Sequence, residues 1–338
     1  MFRSKNCDLQ IHSEYIDRWL LKLLTKTLEN LGRGTPCPLF LSLSPTARNY
    51  VQIIDFSPAL CYTIKEYKIK KDNKMKNYDL AAKKRVVIKV GTSTLTYKTG
   101  NINVRRVKKM VEVLSDLKNA GHDIVLVTSG AVGIGVGCIG LRKKPTDMPL
   151  KQACAAVGQS QLMSFYSEAF SKFNHTVAQI LATRDVFSND IRRKNIYNTM
   201  HTLLSMGIIP IVNANDSVSI EQLDFDENDT LSALAAEVCE ADLLVILTDV
   251  EGLYDKDPSL PDAKLIPLVN RVTDEMIAAA GEKGSELASG GMLTKIEAAV
   301  LAGEKGIPTV IIKGDDPAVL YDLFDNKATC TLFDLQKI

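Results

Sequence analysis

Two lysines and one aspartate stand where a folded chain must account for their charge. Lys89 falls near the end of the apolar run RVVIKV, just before Gly91, Thr92 and Ser93. An ammonium near the end of a buried strand costs free energy unless it meets an anion, so phosphate is the partner to expect, with snorkelling from a sheet edge as the bland alternative. Lys295 lies in ASGGMLTKIEAAVLA, where Gly290 and Gly291 precede an apolar helical pattern. Free N–H groups at a helix start, the positive end of its dipole and an ammonium together make a phosphate site. Asn228 and Asp229 open the pattern TLSALAAE, downstream of a strand followed by Asn213 and Asp216. Such amides and carboxylates can bind an ammonium group, orient lysines or hold a metal, although each alone reads as a helix cap or turn residue.

Two further turns carry candidates. In DIVLVTSGAVGIGVGCIG a buried-looking strand runs into glycines, and Gly135, Gly137 and Gly140 match G-x-G-x-x-G. A dinucleotide site needs its first glycine directly after the strand and an acidic residue about 20 positions on. Here Gly135 lies well past Thr128 and the downstream stretch reads AAVGQSQL, so a nicotinamide cofactor is not expected. Ser129 and Gly130, at the strand-to-helix junction, are the better anion-binding element, and the later glycines let helices pack closely. In LTDVEGLYDKDPS, Thr248 and Asp249 end another strand, and the loop that follows can wrap a purine or be an ordinary surface excursion. The phosphate loop G-x-x-x-x-G-K-[ST] occurs nowhere in the chain.

The elements that position these residues begin at Arg85. The runs RVVIKV, DIVLVT, TVAQIL, GIIPIVN, ADLLVILT and IPTVIIK are short and β-branched, as strands covered on both faces are. Helical patterns separate them, over 104–119, 151–173, 191–206, 230–240, 273–280 and 294–303. That alternation predicts an α/β fold, a three-layer α/β/α sandwich around a mainly parallel sheet, with ligands beyond the carboxyl ends of the strands. Lys89, Ser129, Asn213 with Asp216, and Thr248 with Asp249 fall at such ends, while Gly290, Gly291 and Lys295 open a helix.

Composition narrows the function classes. A chain of 338 residues with 46% hydrophobic and 24% charged residues has room for a large core, and a formal charge of +1 gives no electrostatic case for nucleic acid or an anionic membrane. Seven cysteines lie far apart without C-x-x-C, and four histidines show no ligand spacing, so neither a disulfide framework nor a zinc site is expected. Residues 1–80 differ from the rest: Ser13 to Gly32 can form one amphipathic helix, but prolines and a lysine-rich stretch follow. This segment reads as an irregular, poorly ordered N-terminal extension, with Met75 as an alternative natural start and an interaction helix as a third reading; residues 81–338 form the second domain.

The motifs KVGTS, VTSGA, LTDVEGLY, a D-P pair and GGMLTK, in that order from Arg85 to Phe333, resemble the amino acid kinase family. AAVGQSQL, VNANDSV and ENDTLSALAA are similar to the branch that phosphorylates glutamate, rather than to those acting on acetylglutamate, aspartate, carbamate or UMP. The resemblance implies ATP-dependent transfer to the γ-carboxylate of L-glutamate, the first step of proline biosynthesis, in a cytoplasmic homo-oligomer that passes its product to glutamyl phosphate reductase. By the same resemblance Lys89 and Lys295 flank the transferred phosphoryl group and Asp229 holds them, while Ser129, Asp216, Asn228 and Asn213 bind the acceptor. Lys89, Thr248, Asp249, Ser289, Gly290, Gly291, Met292, Leu293, Thr294 and Lys295 bind ATP, with magnesium held mainly by the phosphates and no protein metal cage. Many relatives of this kind continue into a C-terminal PUA domain, which the sequence ending at Ile338 is not expected to contain. The alternatives that stay open are another acceptor within the family and an inactive kinase fold that senses an amino acid.

Overall fold

A computed structural model describes residues 39–43, 50–56, 62–68, 78–97, 101–218, 228–281 and 291–335. The chain divides into two compact units, Met1–Asn73 and Lys74–Ile338. In the first, β1 (Leu39–Leu43), β2 (Tyr50–Phe56) and β3 (Tyr62–Lys68) form an antiparallel sheet in that order. These strands lie inside the stretch expected to be irregular. The amphipathic helix expected over Ser13 to Gly32 and the alternative start at Met75 lie outside the described residues.

The second unit is built on an eight-stranded sheet. Its strands are β4 (Arg85–Val90), β5 (Asp123–Val127), β6 (Val177–Ala182), β7 (Ile209–Ala214), β8 (Leu243–Thr248), β9 (Leu268–Val269), β10 (Thr309–Lys313) and β11 (Cys330–Phe333), in the order β6-β7-β5-β4-β8-β10-β11-β9. The six strands expected from apolar runs are all present and all parallel. The two additional strands, β11 and β9, run antiparallel to them, with β11 paired to β10. The chain leaves β4 towards β5 on one side, and β8 lies on its other side, so the carboxyl ends of β4 and β8 flank a topological switch point.

Alternation along each strand sorts the core into two layers. Val86, Ile88 and Val90 of β4 pack with α2 (Val104–Asn119), α4 (Met148–Ser171) and α10 (Val319–Phe324). Val87, on the opposite face, packs with α6 (Asp190–Ser205), α7 (Asn228–Val238) and α9 (Met292–Gly303). Lys89 shares the parity of Val87 and so belongs to the α7 and α9 side. Local chemistry sets several helix starts: Asn103 accepts from Arg106 N, Asp147 from Leu150 N and Asn189 from Arg192 N, each satisfying a donor left free in a first turn. The remaining helices are α1 (Thr92–Leu95), α3 (Ala131–Ile139), α5 (Arg184–Ser188) and α8 (Asp274–Gly281).

The glycine run of the apparent dinucleotide motif is α3 itself, started by Gly130 at φ 99° and ended by Gly140 at φ 78°. Packing explains its glycines. A Cβ on Gly135 would lie 1.8 Å from the carbonyl oxygen of Cys154, and one on Gly158 of α4 would lie 1.8 Å from that of Ala131. The two helices therefore meet backbone to backbone, which compensates the poor helix propensity of glycine.

Gly158→Ala should destabilise the protein by about 3 kcal/mol or more through overpacking against backbone. Gly133→Ala, whose Cβ would meet only Thr92 Cγ2 at 3.8 Å, should be neutral or stabilising. Thermal denaturation of both variants checks the contrast; a neutral Gly158→Ala would disprove the close contact.

Candidate active site

The site grows from one carboxylate. Asp229, in the first turn of α7, is fully buried and stands under the carboxyl end of the sheet. Its Oδ1 lies 2.7 Å from Lys89 Nζ, and its Oδ2 lies 3.2 Å from Lys295 Nζ and accepts a 2.8 Å hydrogen bond from Thr294 Oγ1. Both lysines are also buried, at 3% and 6% exposure. Three elements thus converge on one group: β4, because strand parity turns Lys89 to this face; α7, through its first turn; and α9, through its first turn.

Burial by itself pushes the Asp229 carboxyl up, but the two ammonium groups and the hydrogen bonds from Lys89 and Thr294 outweigh it and hold the group below the ordinary carboxylate value of 3.8. Within these contacts one buried carboxylate faces two buried ammonium groups. An anion of high charge density is the complement such a cluster calls for.

The start of α9 faces the same needs. Gly291 caps it without a side-chain hydrogen bond, and Met292, Leu293 and Thr294 form a half-buried first turn whose N–H groups can receive phosphate oxygens. Ser289 and Gly290, expected to share this role, lie outside the described residues. At the end of β8, Thr248 Oγ1 donates to Asp249 Oδ1 at 3.1 Å, and Lys313 of β10 is in register with Thr248. Asp249 is exposed, as a residue greeting a ligand at the mouth of a site would be.

The other half of the site lies at the ends of β5 and β7. Ser129 is buried and its Oγ accepts from Asn228 Nδ2 at 2.9 Å, so the residue preceding Asp229 ties α7 to the end of β5. Asn213, 1% exposed at the end of β7, donates from Nδ2 to Gln159 Oε1 of α4 at 2.7 Å, and its Oδ1 accepts from Ala214 N at 2.9 Å. Asp216 follows in the turn after β7, half-buried. The structure therefore joins Lys89, Lys295, Thr294 and Asp229 by direct contact, and Ser129 with Asn228. Thr248 with Asp249, and Asn213 with Asp216, stand at neighbouring strand ends.

Two supporting residues escaped the sequence reading. Gln159 and Tyr166 lie on the buried stripe of α4 with Ala155 and Leu162, and Tyr166 OH meets Thr128 Oγ1 at 3.0 Å, one residue before Ser129. Burial pushes the Tyr166 phenol up, against a smaller opposing effect of that hydrogen bond, so it stays neutral. A polar residue on an otherwise apolar helical stripe was the available signal.

The sequence model of the amino acid kinase family matches residues 84–313. Glutamate 5-kinase of Clostridium perfringens is 46% identical over 259 residues, covering 75% of this chain and 96% of that protein. Glutamate 5-kinase of Listeria innocua is 45% identical, over 75% of this chain and 94% of its own length. Among solved structures, carbamate kinase from Giardia lamblia bound to AMP-PNP aligns with a TM-score of 0.54 at 18% identity, over 76% of this chain and all (100%) of that one. UMP kinase from Ureaplasma parvum aligns at 0.52 and 16% identity, over 75% and 99%. At such identities these two establish the fold alone.

Asp229→Ala should cost about 3–5 kcal/mol, because two buried ammonium groups lose their partner. Replacing all three charges together, Lys89→Met with Asp229→Leu and Lys295→Met, should recover most of that loss. A carboxyl held below its ordinary value stabilises the fold fully above that value and loses the contribution as pH falls through the lower folded-state value. Denaturant titrations should therefore show wild-type stability falling below about pH 4 by a component the triple variant lacks; superimposable acid limbs would refute the pairing.

Proposed function

This chain belongs to the amino acid kinase family, and we propose that it transfers the γ-phosphoryl group of ATP to the γ-carboxylate of L-glutamate, giving L-glutamyl 5-phosphate for proline biosynthesis. The observation that carries the chemistry is the buried Lys89–Asp229–Lys295 cluster, two cations on one anion at a sheet switch point. The choice of acceptor rests on the glutamate 5-kinases that match this chain over three quarters of its length.

The reaction asks little proton chemistry of the protein. A γ-carboxylate is ionised near neutrality, with an ordinary pKa of about 4.3, so it attacks phosphorus without a general base. Lys89 and Lys295 neutralise charge that spreads over the equatorial oxygens in a loose transition state, and Asp229 keeps both ammonium groups at fixed positions so that little reorganisation is needed. The N–H groups of Gly291, Met292, Leu293 and Thr294 receive phosphate oxygens, joined by Ser289 and Gly290, and Thr248 and Asp249 hold the nucleoside side. Ser129, Asn213, Asp216 and Asn228 hold the amino acid in line. Magnesium would arrive with the nucleotide, held mainly by phosphates and water. It supplies charge neutralisation on the phosphates.

The product is an acyl phosphate, prone to hydrolysis, and its consumer is a reductase of the glutamyl phosphate type. We extend the same reading to a cytoplasmic homo-oligomer, on family resemblance. No helix among the described residues is long and apolar enough to cross a membrane.

The test is hydroxamate formation with ATP, magnesium and hydroxylamine, which traps acyl phosphates. Signal from glutamate, and none from acetylglutamate or aspartate, is the expected result; signal from another acceptor would overturn the substrate while keeping the chemistry. Lys295→Ala should lower kcat by about 10³-fold or more with the fold retained. Near-normal turnover in that variant would sink the assigned role.

A further inference from the structure

We infer that Gln159 reads the end of the acceptor remote from the transferred phosphoryl group, donating from Nε2 to its α-carboxylate; this rests on the glutamate-phosphorylating reading above. Gln159 lies on the inner stripe of α4 and is 8% exposed. Its orientation is fixed by its neighbour. Because Asn213 Oδ1 accepts from Ala214 N, its Nδ2 must be the end that meets Gln159, and the atom it meets must be the acceptor Oε1. Gln159 Nε2, with two donor hydrogens, is the end left over, and it is buried without a hydrogen-bond partner among the described residues.

An unmade buried donor carries the full cost of its lost hydration, so such a group in a well-packed interior calls for an explanation. A second orphan accompanies it. Asn228 Oδ1 is also buried and unpartnered, its Nδ2 being committed to Ser129 Oγ. A spare donor on the partner of Asn213 at the end of β7, and a spare acceptor on the partner of Ser129 at the end of the adjacent β5, match the two charged groups on the α-carbon of an amino acid, a carboxylate and an ammonium.

Position selects which end of the acceptor is read. Lys89 of β4 is in register with Val127 of β5, and Val127 with Val212 of β7, next to Asn213. Two strand steps make roughly 10 Å. That is the span of a short dicarboxylate with a hydrogen bond at each end: the γ-carboxylate lies at the lysines and the α-carboxylate at Gln159. A purely structural role, holding Asn213, would need only the Oε1 atom.

Gln159→Glu separates the two roles, since it keeps an accepting oxygen for Asn213 and replaces the donor with a like charge. Calorimetry should show L-glutamate binding weakened about tenfold or more, with AMP-PNP binding unchanged. Gln159→Met serves if the glutamate variant does not fold. In either variant the preference for L-glutamate over 4-aminobutyrate, which lacks the α-carboxylate, should shrink. Wild-type affinity in Gln159→Glu, or equal weakening of both compounds, would overturn the inference. A wild-type chain that binds glutamate but forms no hydroxamate would refute the phosphoryl-transfer reading and leave Gln159 to be judged on binding alone; one that binds no glutamate would refute both.

Discussion

Two ammonium groups share one buried carboxylate, and much of the second unit can be understood as the means of holding that arrangement. The mutual attraction of such charges offsets their desolvation only when geometry is good and the remaining lone pairs are used. Here Thr294 supplies the additional hydrogen bond, and three separate elements supply the side chains. Two ammonium groups on one carboxylate are the feature on which the proposed phosphoryl transfer rests. Stability and chemistry therefore draw on the same atoms.

The sheet imposes the rest of the geometry. Parallel strands send every carboxyl end to one edge, so a lysine from β4, a serine after β5 and an asparagine from β7 reach a common rim without any being adjacent in sequence. The helix layer on one face carries Asp229 and Lys295, and the layer on the other carries Gln159 and Tyr166. In the proposed reaction α9 faces the nucleotide, α4 braces the acceptor side, and α7 serves both through Asp229 and Asn228.

Much of this was legible in the sequence, and the failures have physical causes. Apolar β-branched runs located the six parallel strands within a few residues, because strands buried on both faces must be apolar throughout. Lys89 stood out as a charge followed by one more apolar residue, Val90, and then the turn residues Gly91, Thr92 and Ser93. That Asp229 would touch both lysines was not readable from spacing, since the contacts span 140 and 66 positions (229 − 89 and 295 − 229) and depend on tertiary packing. The resemblance implied it and the structure made the contact visible. β9 and β11 were missed because two and four residues are too short to show a period. Gln159 was missed because its one signal, a polar residue on an apolar helical stripe, gains meaning only when its neighbour on β7 is known.

The backbone contact between α3 and α4 has a consequence for divergence. Gly135 and Gly158 leave no room for even a methyl group, so these two positions admit one residue type while the stripe beside them, from Gln159 to Tyr166, can vary side chain by side chain. Helix position is thereby insulated from helix content. A descendant of this chain can exchange side chains along that stripe on a scaffold whose spacing does not drift.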